Sequence, residues 1–255
     1  MKYLLLLLCA LISIDLKAQD AALAIAQKMD LADTGWKDEI VSSDMILRSS
    51  DGVEITRTLK NRLFEVAQDG DKSAVIFERP MDVKGTVFLN HSHKTGNDDQ
   101  WLYMPALNRV KRITSSNRAG PFMGSEFAYE DLSSDEVERF TYELLDDLVC
   151  AEQLKCYRLV RFPTNKNSGY SKQVVYLDQK HFRIHKIEYY DRKNSHQKTL
   201  TRSNYQRYGD FWRAENWEMK NIQTGKSTII NWYDRQLGTG LKNTHFAPNR
   251  LERIR

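Results

Sequence analysis

Long apolar runs are scarce in this chain. The longest, Leu4 to Ile14, covers only about half of the roughly 20 residues that a membrane-spanning helix requires, so no transmembrane anchor is expected. Charge of one sign is lacking as well. The chain has 38 Lys and Arg against 34 Asp and Glu, a net charge of +4. A generic nucleic-acid binder gathers its cations on one face, and a chain with this balance is not expected to be one. Cysteine is sparse: Cys9, Cys150 and Cys156 are all there is. The C-x5-C pair lacks zinc spacing and has no second pair to complete a site, so no metal and no cofactor are expected.

Catalytic signatures are missing too. There is no G-x-S-x-G elbow, no H-E-x-x-H, no P-loop and no G-x-G-x-x-G. The chain therefore does not read as an enzyme, and no catalytic residue is assigned. His91 and His93 would share one face of a strand, with Asp98 and Asp99 nearby, but this reads better as a polar strand end than as a metal site. His181, His185 and the acids Glu143, Asp146 and Asp147 read as solvent-facing.

What is present is an ordinary globular composition, 41% hydrophobic and 28% charged. Lys2, the apolar run and Ala18 before Gln19 form a secretory signal peptide pattern over residues 1–18. Residues 19–255 then read as a single exported, soluble domain. Leu8 precedes Cys9 where a lipidation site wants a small residue, so a lipid anchor is not expected. Export makes Cys150 and Cys156 a disulfide candidate, although closing so short a loop would add only ~2 kcal/mol. Two buried thiols are the alternative.

Asp20 reads as the N-cap of a helix whose Ala22, Ile25, Ala26 and Met29 recur at helical spacing. From Ile40 the texture is that of short strands and turns. "DMILRSSDGVEITRTLK" is a hairpin, and "SAVIFERP", "GTVFLN", "CYRLVRFP", "SKQVVYLD", "FRIHKIEYYD", "KTLTRSNYQRY", "FWRAENWEMKN" and "STIINWYD" are further strands. The spacing predicts roughly eleven strands in an antiparallel sheet. Between the halves, "SSNRAGPFMGSEFAYEDLSSDEVERF" carries Phe122, Met123, Phe127 and Tyr129, more large apolar groups than an exposed loop tolerates. It either folds over the sheet or covers something. In "WLYM", Trp101 and Tyr103 share one face and Leu102 and Met104 the other. A sheet apolar on both faces must be covered on both or hold an apolar ligand.

"WLYMPALNRVKRI" followed by "FMGSEFAYEDL" resembles the signature stretch of the LolA-like outer-membrane lipoprotein-sorting proteins. "ERPMDVKGTVFL", "SGYSKQVVYLD", "FRIHKIEYYD" and "THFAPNRLER" follow the family's order, so the resemblance runs from about Ala21 to Arg253. It implies a mainly β fold with a few helices: a curved, half-open antiparallel barrel closed by the N-terminal helix and a lid around an apolar cavity. It also implies a periplasmic carrier of lipoprotein or lipid acyl chains, with a resistance-nodulation-division-type inner-membrane transporter as a partner. A regulatory sensor of lipid or envelope stress is the alternative. On this reading Trp101, Tyr103, Met104, Phe122, Met123, Phe127 and Tyr129 line the cavity and its lid. Pro105 to Asn108 turn the chain so that Tyr103 opposes Val110 and Trp101 opposes Arg112. Arg109, Lys111 and Arg112 would then meet a headgroup or an acidic partner at the cavity mouth. A monomer is expected.

Alkylation of the exported protein before and after reduction is expected to differ by two thiols, those of Cys150 and Cys156. Two thiols that react without reduction would establish the buried-thiol alternative.

Overall fold

The computed structural model describes residues 19–254. The signal-peptide reading and Cys9 lie outside the described residues. Residues 19–32 are helical (α1). Asp20 sits inside this helix rather than capping it, because Gln19 before it is already helical. The predicted stripe of Ala22, Ile25, Ala26 and Met29 is buried, while Leu23 and Leu31 on the other side are exposed. This is the one-sided pattern of a helix laid on a core.

Thirteen strands follow, two more than the spacing of turns predicts. The first run is β1 (Asp38–Arg48), β2 (Glu54–Phe64), β3 (Lys72–Arg79), β4 (Val87–His91), β5 (Asp99–Met104) and β6 (Arg109–Ile113). The second is β7 (Phe140–Val149), β8 (Lys155–Pro163), β9 (Tyr170–Asp178), β10 (Ile184–Asp191), β11 (His196–Tyr208), β12 (Phe211–Asn221) and β13 (Ser227–Leu237). All pair in one antiparallel sheet ordered β6-β5-β4-β3-β2-β1-β13-β12-β11-β10-β9-β8-β7. The chain thus starts at the centre, works outward to one edge, crosses to the other edge and works back. β1 and β13 close the middle, with Met45 opposite Ile230. The β5–β6 register is the expected one, Tyr103 to Val110 and Trp101 to Arg112, across a turn in which Asn108 takes the left-handed conformation.

Laid flat, thirteen strands would span roughly 60 Å. The sheet instead curls until its flanks meet: Asn165, between β8 and β9, donates to Asn97, between β4 and β5, at 2.8 Å. The concave face holds the main core, where α1 joins Met45, Leu59, Phe77, Phe88 and Leu200. A smaller core covers the convex face, where the C-terminal turns bring Phe246, Leu251 and Ile254 onto Ala74, Ile76, Val87 and Leu89.

Residues 114–139 make the edge-to-edge crossover and run through the concave side. Phe122 and Phe127 are fully buried there, and Phe122 meets Phe88 at 5.1 Å, Tyr129 at 5.7 Å and Phe77 at 5.9 Å between ring centroids. Buried polar clamps fix the segment. Asp98 takes Arg118 at 3.2 Å, Arg139 at 2.9 Å and Ser133 at 2.8 Å. Lys198 on β11 pairs with Asp131 at 2.7 Å and donates to the Glu126 carbonyl at 2.9 Å. At Gly169 an added Cβ would stand 2.9 Å from Ala119, so the crossover leaves room there for glycine only.

Two solvent-facing expectations divide. Glu143, Asp146 and Asp147 are exposed, on β7. His185 is not: it is buried, 3.1 Å from the buried Asp178, which also takes Arg183 at 2.8 Å. A charged partner inside the sheet satisfies a ring that sequence alone assigns to water.

Asp98 carries two buried guanidinium groups, so its removal leaves Arg139 without a carboxylate and Arg118 with only Glu130 at 3.7 Å. Asp98→Ala is expected to cost about 3–5 kcal/mol of unfolding free energy, read from urea denaturation. Asp99→Ala, which releases only the exposed Arg112 and a half-buried His93, is expected to cost about 1 kcal/mol or less.

Candidate functional site

The crossover fills only part of the concave face. Beside it lies a cavity of about 520 Å³, within the range of small-molecule sites. Phe122 and Phe127 form its roof, and Met45, Leu59, Leu200 and Ile230 contribute an apolar floor. These floor residues come from β1, β2, β11 and β13, neighbours or near neighbours at the centre of the sheet, where alternation turns one face of each strand inward. Toward the end at which β1 begins, the wall turns ionic. Glu39 takes Arg213 at 3.2 Å and also Arg235, and Arg235 reaches Glu215 at 3.0 Å. Arg213 also holds Asp33, just past the end of α1. Trp36 and Trp212 stand among these charges. The cavity is therefore amphipathic, where a purely apolar one was expected. The reason lies in the strands: Arg202, Arg213 and Arg235 share the inward side with the Trp and Leu residues.

The structure separates the predicted site residues. Phe122 and Phe127 line the cavity. Met123, Tyr129 and Met104 pack against the same concave core without reaching the cavity wall. Trp101 and Tyr103 belong to the convex core with Phe246 and Leu251, and His91 meets Trp101 at 5.1 Å while bonding the Phe246 carbonyl at 2.7 Å. The face was misassigned because both faces of β5 are apolar, and only the C-terminal turns decide which one they cover. Arg109, Lys111 and Arg112 are exposed on the edge strand β6, with Arg112 paired to Asp99, and none lines the cavity. Cys150 and Cys156 are bonded at the β7–β8 connection, with Cα atoms 5.8 Å apart. His93 bonds Asp69 at 2.7 Å and Asp99 at 3.3 Å. Among the described residues no cluster has the makings of a metal site.

One wall of the cavity is acidic. Burial pushes Asp71 up to about 7, with Glu136 and Glu65 adding to the rise. Burial also raises Glu136. Asp71 accepts the Val66 amide at 3.0 Å, which tempers the effect without cancelling it. A carboxyl raised in the folded state binds a proton that the unfolded chain has released. Its stabilising contribution is complete below the ordinary value of 3.8 and is lost as pH rises through about 7. Asp71→Asn, which keeps the acceptor oxygen, is expected to raise the melting temperature above pH 7. It should also flatten the pH dependence between about 4 and 7, as measured by thermal melts across that range.

A family model described only as an uncharacterized protein matches residues 69–253. No curated protein matches the chain in sequence. Solved structures do. A domain from Vibrio parahaemolyticus, provisionally assigned as an outer membrane lipoprotein-sorting protein, is 50% identical, with a TM-score of 0.90 over 92% of this chain and 99% of that one. A DUF1329 family protein from Desulfovibrio piger is 28% identical, with a TM-score of 0.86 over the same shares. A LolA superfamily protein from Nitrosomonas europaea, 19% identical, shares the fold at a TM-score of 0.70 over 89% of this chain and 97% of that one. With half its residues identical to the Vibrio domain over nearly its full length, the chain belongs to the outer membrane lipoprotein-sorting protein family, and its fold is that of the LolA superfamily.

Proposed function

We propose that this chain is a periplasmic carrier that binds acyl chains of lipoproteins or lipids and moves them towards the outer membrane, and that it catalyses no reaction. The observation that carries this reading is the cavity of about 520 Å³ with its floor of Met45, Leu59, Leu200 and Ile230. Each methylene taken from water into such a site gains ~0.8 kcal/mol, which is also why an acyl chain does not cross water unaided. Family membership supports the class of cargo.

In this reading Phe122 and Phe127 are a fixed roof, with Met123, Tyr129 and Met104 as its backing. The clamps from Asp98 and Lys198 hold the crossover down, so cargo enters past the ionic rim of Trp36, Glu39 and Arg213. Arg109, Lys111 and Arg112 act outside the cavity, where their exposure suits an acidic docking surface. That surface belongs to the inner-membrane transporter of the resistance-nodulation-division type or to an anionic membrane. The carrier works as a monomer.

Native mass spectrometry of protein purified from its own periplasm is expected to find acyl-bearing molecules bound. In a transfer assay between donor and acceptor vesicles, replacing Arg109, Lys111 and Arg112 with Gln is expected to slow delivery at low salt. The difference should fade once the Debye length falls to about 10 Å or less, and binding should be spared. Identical rates at every salt concentration would remove the cluster from the mechanism. Cargo that is bound but never delivered would make the protein a sensor.

A further inference from the structure

The cavity contains hydrogen-bond donors with nothing to donate to. Arg202 Nε, Trp217 Nε1 and Trp232 Nε1 are buried and have no partner, although buried polar groups in folded proteins are almost always paired. All three side chains line the cavity. The sheet brings them together. Arg202 on β11 stands directly opposite Trp217 on β12, with its guanidinium carbon 4.2 Å from the indole centroid. The rings of Trp217 and Trp232 meet edge to face at 5.4 Å.

One acceptor nearby is open, Glu215 Oε2, buried two residues before Trp217 on β12, but none of the three donors bonds it. The other arginines nearby are held: Arg161 by Asp135 at 2.8 Å, Arg213 by Asp33 and Glu39, and Arg235 by Glu39 and Glu215. Asp33 and Asp135, the acids that feel Arg202, are thus each claimed by another arginine. Arg202 itself forms no hydrogen bond or ion pair among the described residues. Guanidinium and indole N–H groups can only donate. The cluster therefore offers one positive charge and three neighbouring donors that no protein acceptor satisfies.

Its position along the strands matters as much. Leu200 lies two residues before Arg202 on the same face, and Ile230 two before Trp232. Both are buried in the concave core. On the other side of the cluster Arg235 begins the ionic rim. The donors stand at the boundary between the apolar floor and that rim.

We propose that Arg202, Trp217 and Trp232 form a subsite for an oxyanion, a phosphate or carboxylate, at the head of an acyl chain lying on the apolar floor. This rests on the reading of the cavity as an acyl-chain site. Arg202 supplies the charge, and stacking on Trp217 fixes its plane while leaving its N–H edge free. The two indoles supply directional donors. A chain with no oxyanion leaves the charge uncompensated, so the cavity discriminates in favour of anionic lipids.

The test uses the whole mature protein and two probes with the same acyl chain, lysophosphatidylglycerol and monoacylglycerol, titrated by calorimetry below their micelle concentrations. The wild type is expected to bind the anionic probe roughly tenfold or more tightly than the neutral one, as charged hydrogen bonds do. Arg202→Gln should bring that ratio close to one. Trp217→Phe and Trp232→Phe keep the ring and lose the donor, and each should lower the ratio roughly two- to tenfold. Thermal melts check that each variant is folded, and the two Trp variants stand in should Arg202→Gln fail. Inorganic phosphate, added alone and as competitor, separates the sources. Competition that disappears in the variants assigns the subsite to free oxyanions as well as headgroups, and absence of competition assigns it to headgroups alone. Equal binding of the two probes, or a ratio that none of the variants moves, overturns the subsite and leaves the acyl-chain reading standing. Failure of both lipids overturns the acyl-chain reading. Inorganic phosphate that still binds the wild type, and not Arg202→Gln, would then keep the subsite alone.

Discussion

The constraint on which the rest of the structure depends is the pairing of β1 with β13 in the middle of the sheet. Once the first and last strands are neighbours, β6 and β7 must be the two edges, and residues 114–139 must travel from one to the other. A flat sheet would make that journey very long. Curling shortens it, brings Asn97 to Asn165, and gives the crossover a concave face to run through. The cavity is what remains of that face where the crossover and α1 do not reach. It is a by-product of the topology before it is a binding site.

Holding such a crossover in place is an electrostatic problem. A segment with Gly120, Pro121 and Gly124 in it cannot rely on regular backbone ladders, so side chains do the work. Asp98 gathers Arg118 and Arg139, and Lys198 gathers Asp131 and the Glu126 carbonyl. Buried pairs of this kind add little net stability over apolar residues of equal volume, yet losing one partner is costly. What they provide here is placement. They set where Phe122 and Phe127 sit over the floor, and so the shape of the space beneath.

Much of the fold was legible in the sequence. The hairpin of β1 and β2 and the Trp101–Arg112 register follow from period-two patterning and turn chemistry. β7 was not legible. As an edge strand it carries Glu143, Asp146 and Asp147 in solvent, and nothing in a half-polar stretch of Leu and Asp announces a strand. The site was legible only in part. Phe122 and Phe127 stood out because apolar groups in a Gly- and Ser-rich segment demand burial. Arg202, Trp217 and Trp232 did not, because an arginine on an aromatic strand looks the same whether it faces water or a cavity. The faces of Trp101 and Tyr103 depended on Phe246 and Leu251, far away in sequence, and local pattern carries no information about that.

The seam between β1 and β13 also bears on how the chain comes to be folded. Neither half of the sheet is finished without the other: β1 has an open flank until Ser227–Leu237 arrives. Contacts between the two ends of a chain are the slowest to form, because loop closure must be met before they contribute anything. A newly made chain that lacks its last strand therefore leaves β1 and β12 without the neighbour that joins the two halves of the sheet. The same join that creates the cavity thus also delays it until the last strand has been made.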